Sequence, residues 1–252
     1  MKTIFFSIAV FYFMHALSVY AGNKELIEKG NKEYKSGDYV SAIITYQKMI
    51  ETGNVSPELY YNTGNAYFKA NDNARAILYY ERAKRMKPSD EDINFNLKLA
   101  NSKIIDKIDV LPGLFFVNWW NFAGTLFSHS GWAIVSILAF CLMLGLFLFY
   151  LFGNSLSLRK ISFFSGIAFM GIFVLSLLFA RKQFLLSNNT DEAIIMSPVV
   201  NVKSSPDIQA TDIFVIHDGT KVKIIDNIGS WYEIKIPSGN KGWIDRAVFE
   251  TI

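Results

Sequence analysis

Two stretches, GWAIVSILAFCLMLGLFLFYLF at residues 131–152 and ISFFSGIAFMGIFVLSLLFA at residues 161–180, decide the architecture. Neither contains Asp, Glu, Lys or Arg. At about 1.5 Å of rise per helical residue, each spans roughly 30 Å, the hydrocarbon thickness of a bilayer. Only residues 153–160 separate them, so the two spans must run antiparallel and the chain re-emerges on the side from which it entered. Whatever precedes residue 131 therefore shares a compartment with whatever follows residue 180.

The composition fits soluble lobes on such an anchor. The chain has 252 residues, 51% of them hydrophobic, and its mean hydropathy of +0.23 is too high for an ordinary soluble protein and too low for an all-membrane one. The net charge of +3 is scattered without a dense basic face, which argues against a nucleic-acid partner. Cys141 is the single cysteine, so no internal disulfide is possible, and its mid-span place suits a small apolar residue. Residues 1–21 carry Lys2, an apolar run from Ile4 to about Met14 and Val19-Tyr20-Ala21, the pattern of a secretory signal peptide. Gly22 and Asn23 stand where a lipoprotein would need cysteine. Cut or retained, this segment exports residue 22 onward. The expected localisation is the bacterial inner membrane, crossed twice, with a cytoplasmic loop at 153–160 and both soluble lobes in the periplasm.

Residues 22–103 repeat themselves. The shift that lays Gly30 on Gly64 also lays Asn31 on Asn65, Ala42 on Ala76 and Tyr46 on Tyr80. The second copy, 57–90, carries Tyr60, Thr63-Gly64, Tyr67, Ala76, Tyr80, Ala83 and Pro88. It resembles a tetratricopeptide repeat, with Thr63 where leucine is usual. The first copy, 23–56, is looser, with Glu33 in place of tyrosine and Asn54 in place of proline. Small residues let paired helices approach and tyrosines fill the layers between them. Ser56-Pro57 is a helix start, and residues 91–103 form a capping helix, so five helices are expected. The resemblance implies a concave groove that receives a peptide. By position it assigns Ile27, Asn31, Tyr34 and Lys35 from the first copy and Tyr61, Asn65, Phe68 and Lys69 from the second.

Residues 104–130 lead to the membrane. Pro112-Gly113, Asn118 and Asn121 interrupt LPGLFFVNWWNFAGTLF, and Trp119-Trp120 suits the headgroup level, so the segment is read as an interfacial helix against the lipid bilayer. His129 sits there alone. After a linker at 181–192 the pattern turns to short alternating runs over 193–252, about five strands of a small barrel. Asn201-Val202-Lys203-Ser204-Ser205-Pro206, His217-Asp218-Gly219-Thr220, Trp231-Tyr232 and Gly242-Trp243-Ile244 resemble a bacterial SH3 domain. That resemblance implies ligand binding by exposed aromatics, here Trp231, Tyr232 and Trp243. His217 is read as a surface turn residue.

The expected fold class is a multidomain membrane protein: all-α tetratricopeptide helical repeats, a two-helix transmembrane hairpin and an all-β SH3-like small barrel. No Cys/His pair, Ser/His/Asp set, zinc spacing or phosphate loop is present, so no enzyme activity, cofactor or metal is expected. The order of modules resembles the BatE family of the Bacteroides aerotolerance (Bat) operon. The resemblance implies a non-enzymatic membrane scaffold whose partners are other membrane proteins, among them Bat-family proteins with von Willebrand A domains, in oxygen tolerance or envelope stress. The alternative is an envelope sensor or tether that binds peptidoglycan through the SH3-like lobe.

Overall fold

A computed structural model describes residues 25–107, 115–188 and 190–252. The signal peptide expected at 1–21 and residues 108–114 of the segment expected at 104–130 lie outside them. Helix α1 covers 25–35, followed by α2 (Tyr39–Glu51), α3 (Pro57–Lys69), α4 (Asn73–Met86) and α5 (Glu91–Asn101). Recurrent capping sets these boundaries. Asp38 accepts from the Ser41 amide at 3.1 Å, and Asp72, one period later, accepts from the Arg75 amide at 3.0 Å. Between the helices of each pair the chain must turn through positive φ, at Gly37 (85°) and then at Asn71 (66°), the non-glycine residue that tolerates this region best.

Close helix approach follows from the small residues. A Cβ on Gly30 would lie 2.5 Å from the Tyr46 ring, and one on Gly64 would lie 2.7 Å from Tyr80. Two of the three departures from the repeat pattern, Thr63 and Glu33, are locally satisfied. Thr63 is fully buried and donates its hydroxyl to the Leu59 carbonyl at 2.7 Å. Glu33 accepts from Thr45 Oγ1 at 2.6 Å, in the place where the second copy stacks Tyr67 on Tyr79 with centroids 5.4 Å apart. Both members of the stacked pair are replaced together in the first copy, which is why Glu33 fits.

The carboxyl-terminal lobe has seven strands where five were expected: β1 (Glu192–Ile195), β2 (Val199–Lys203), β3 (Asp212–His217), β4 (Lys221–Ile228), β5 (Trp231–Lys235), β6 (Lys241–Asp245) and β7 (Phe249–Thr251). They form one antiparallel sheet in the order β3-β2-β6-β5-β4-β1-β7. Ala193, Ile195, Val202, Ile216, Ile234, Ile244 and Phe249 are among its buried core. Strand β3 is hard to see in the sequence because Ile213 and Val215 stay exposed, which fills both faces with apolar residues and hides the alternation. Strand β7 is set off by the turn Arg246–Val248, capped by Asp245.

The repeat helices and the sheet belong to one compact unit. Ile77, Tyr79 and Tyr80 of α4 share a single buried cluster with Ile194 of β1 and Ile252, and Ile104 and Met196 pack against it. Gly219, in the β3–β4 turn at φ 82°, sits so close to Ile77 and Ile104 that any Cβ would collide with the Ile104 side chain. Polar bonds surround this core. Arg82 donates to Glu250 at 2.9 Å and to the Thr251 carbonyl at 2.7 Å. Lys221 lies 3.1 Å from Glu81 and 3.0 Å from Glu192. Burial alone would lower the Lys221 pKa, but the two carboxylates raise it overall. The Asp106 carboxylate accepts from the Thr220 hydroxyl at 2.6 Å and the His217 amide at 2.7 Å, with His217 Nδ1 at 2.8 Å. His217 is therefore a half-buried joint residue, correcting its reading as a surface turn residue.

A second unit contains α6 (Phe115–Thr125), α7 (His129–Phe152) and α8 (Leu156–Asn188). His129–Phe152 and Leu156–Leu186 are long and apolar enough to cross a membrane. The turn between them is shorter than the sequence suggested. Arg159 and Lys160 lie inside α8, where Ser155 Oγ accepts from the Leu158 amide at 3.2 Å and Arg159 Nε donates to the Gly153 carbonyl at 3.0 Å. Likewise α8 continues past Ala180, since Arg181, Lys182 and Gln183 end a hydrocarbon-compatible run without ending a helix. Helix α6 is clamped to the hairpin at Gly124, whose carbonyl accepts from Gln183 Nε2 at 2.7 Å and Trp132 Nε1 at 2.9 Å. Phe115, Trp119 and Phe122 remain exposed on it.

Candidate functional site

The repeat lobe carries the residues assigned to a groove on its first helices. In each copy the second-helix tyrosine donates to the first-helix asparagine: Tyr46 to Asn31 and Tyr80 to Asn65, both at 2.7 Å. Burial chiefly, with Tyr34 and Glu33 nearby, pushes the Tyr46 hydroxyl up to about 12, and burial with Tyr61 nearby raises Tyr80 as well. These tyrosines therefore remain proton donors throughout the physiological range. Each asparagine oxygen also accepts from an asparagine one helix pair further on, Asn62 to Asn31 at 3.3 Å and Asn96 to Asn65 at 3.4 Å. The Nδ2 groups of Asn31 and Asn65 carry no hydrogen bond among the described residues, and are available to an acceptor on a ligand.

Asn31, Tyr34, Lys35, Tyr46, Asn62 and Asn65 line a cavity of about 240 Å³. The structure thus brings together Asn31, Tyr34, Lys35 and Asn65 of the eight groove residues assigned from the sequence. Tyr61 lies alongside, accepting from Asn96 Nδ2 at 2.6 Å. Phe68 is half-buried beneath the Lys103 ammonium, 4.2 Å from its ring centroid. Lys69 is exposed at the end of α3, and Ile27 is exposed on α1 outside the cavity lining. Tyr46, Asn62 and Asn96 were missed. Asn62 and Asn96 themselves stand one repeat period apart, so following the repeat into the capping helix would have found them.

In the sheet, alternation splits the three candidate aromatics. Tyr232 faces inward with Ile234 and packs edge-on against Phe249 at 5.1 Å, so it belongs to the core. Trp231 and Trp243 take the opposite face: Trp243 is paired with Glu233 on one side and Lys203 on the other, and Trp231 with Asp245, which makes the indoles diagonal neighbours. Both are partly exposed. Lys203 is held by Asp212 at 2.7 Å. Among the described residues, no group of three or more His, Cys, Asp and Glu side chains is placed to hold a metal.

Residues 57–90 match the family model of the tetratricopeptide repeat, and residues 198–249 match that of the bacterial SH3 domain. No curated protein matches the chain. The repeat match falls on the second copy; the first shares its Asn–Tyr bond at the same separation along the chain. Both families are interaction modules, typically without catalysis, so the chain carries modules for protein–protein or cell-wall contact.

Proposed function

We propose that the chain is a non-enzymatic scaffold of the bacterial inner membrane that presents its repeat groove and its SH3-like lobe together on the periplasmic side. The observation that carries this reading is the shared core of Ile77, Ile194 and Ile252. Lobes on opposite faces of a bilayer could not form it, which supports an even number of crossings between the two lobes. Two helices of spanning length, and an α6 with exposed Trp and Phe side chains, agree with a hairpin and an interfacial helix. The groove stays open on the repeat helices, with asparagine amides suited to the backbone of an extended segment. The module order supports partners among membrane proteins of the Bat type, with von Willebrand A domains, and a role in aerotolerance or envelope stress.

Photocrosslinking in cells from Lys69 and, separately, from Trp231 tests the scaffold. A discrete membrane-protein adduct from Lys69 is the expected result. Cell-wall adducts from Trp231 with none from Lys69 would refute it in favour of peptidoglycan tethering, a reading that the diagonal Trp231 and Trp243 pair supports.

A further inference from the structure

The hairpin holds a cavity of about 360 Å³ between α7 and α8. Met143, Phe147 and Tyr150 of α7 line it with Ser162, Gly166 and Met170 of α8. From Tyr150 and Ser162 near the turn to Met143 and Met170 it runs about 12 Å along the helices, most of the hydrocarbon depth of one leaflet. Gly166 keeps this slot open. A Cβ there would meet nothing nearer than Leu146 at 4.0 Å, so close helix packing does not require the glycine as it requires Gly30 and Gly64. The walls are apolar, but the end beside the turn is not. Ser162 is 3% exposed, and neither its hydroxyl nor that of Tyr150 forms a hydrogen bond among the described residues. Arg159 stands one helical turn before Ser162 and Phe163, on the face of α8 that carries Gly166 and Met170. Its Nε is fixed on the Gly153 carbonyl at 3.0 Å, while its two terminal nitrogens carry no bond among the described residues. The hairpin offers it no carboxylate, since the sequence has neither Asp nor Glu between Asp109 and Asp191. An oriented guanidinium at the turn end of an apolar slot thus lacks an anion.

We infer that the slot binds an anionic phospholipid of the leaflet at the turn, with its phosphate on the Arg159 guanidinium and one acyl chain lying between α7 and α8. The planar fork of arginine matches phosphate oxygens, and basic pockets between spanning helices take anionic headgroups. The Ser162 and Tyr150 hydroxyls stand between these two parts, where the lipid carries its ester oxygens. This rests on reading α7 and α8 as membrane spans, and it adds one class of lipid as a bound ligand.

The test is native mass spectrometry of the full chain in detergent micelles, with phosphatidylglycerol and phosphatidylcholine of identical acyl chains titrated separately. The first phosphatidylglycerol should bind about fivefold more tightly than the first phosphatidylcholine, the worth of one arginine at an anionic headgroup. Arg159→Gln should abolish that preference, and Arg159→Lys should keep part of it. Gly166→Leu fills the slot and should weaken both lipids. Arg181→Gln, at the far end of α8, should leave the preference in place. Equal binding of the two lipids, or a preference that survives Arg159→Gln, would overturn the proposal. So would dimers that Gly166→Leu abolishes in the absence of any lipid preference, which would give the slot to a second copy of the chain. Release of the chain from cell membranes by alkaline carbonate, without detergent, would instead refute the spans and the site with them.

Discussion

Replacing Ile77 by alanine should loosen a lobe to which Ile77 does not belong in sequence. Ile77 is fully buried on α4, in the cluster that includes Ile194 and Ile252. The substitution removes three carbons, about 2.4 kcal/mol of transfer free energy, and the cavity left behind brings the loss to about 3–4 kcal/mol. If the repeat helices and the sheet open together, that loss appears in both. Hydrogen exchange with mass spectrometry, on the full chain in micelles, should then show amides of β1, β4 and β7 exchanging about a hundredfold faster or more, since about 1.4 kcal/mol is tenfold. Ile44→Ala, at a residue 62% exposed, should change exchange in neither lobe by more than the effect of about 0.5 kcal/mol. Faster exchange in α3 and α4 with unchanged protection across 192–252 would refute the shared core.

Gly64→Ala should destabilise the repeat lobe by about 1–3 kcal/mol, measured by urea unfolding, because the new methyl meets the buried Tyr80 ring rather than a movable chain end. Asn71→Gly should be neutral or raise the midpoint, whereas Asn71→Val should cost about 1 kcal/mol or more, since its φ of 66° admits glycine and penalises β-branching. Burial alone would raise the Asp106 pKa, but the bonds from Thr220 and His217 hold it below the usual carboxylate value. Its contribution is therefore fully present above its unfolded pKa and is lost as pH falls through the lower folded value. The stability gap between the native chain and Asp106→Asn should be constant at neutral pH and close under acid; a gap that persists at pH about 2 would contradict the assignment.

The sequence disclosed every element whose cause is local. The hairpin is legible from the absence of charge, the repeat helices from Gly30, Gly64 and their tyrosines, and the barrel from its turns. Strand β3 was not legible, because Ile213 and Val215 face outward on an edge strand. Helix α8 outruns its apolar stretch at both ends because charge bounds a span and not a helix. The least legible features join residues far apart in the chain. Nothing local to Asp106 or His217 signals a bond between segments so distant in sequence, and the aromatics Trp231, Tyr232 and Trp243 look alike until pairing with β6 sorts them onto two faces. In the groove, Asn31 and Asn65 were legible as a repeated residue type. Their partners Asn62 and Asn96 were not, because a capping helix reads as an end and not as a continuation.

The shared core also orders events in time. A chain made from its amino end exposes the Ile77 face before Ile194 or Ile252 has been made, since both lie beyond the hairpin. At about 5–20 residues per second, that face waits on the order of ten seconds for its cover. The whole hairpin is made during this delay. On the proposed two-span topology, a chain whose hairpin inserted wrongly would strand the sheet across the bilayer and leave the apolar face of α4 bare to chaperones and proteases. On that topology the closed lobe would be a receipt for correct insertion.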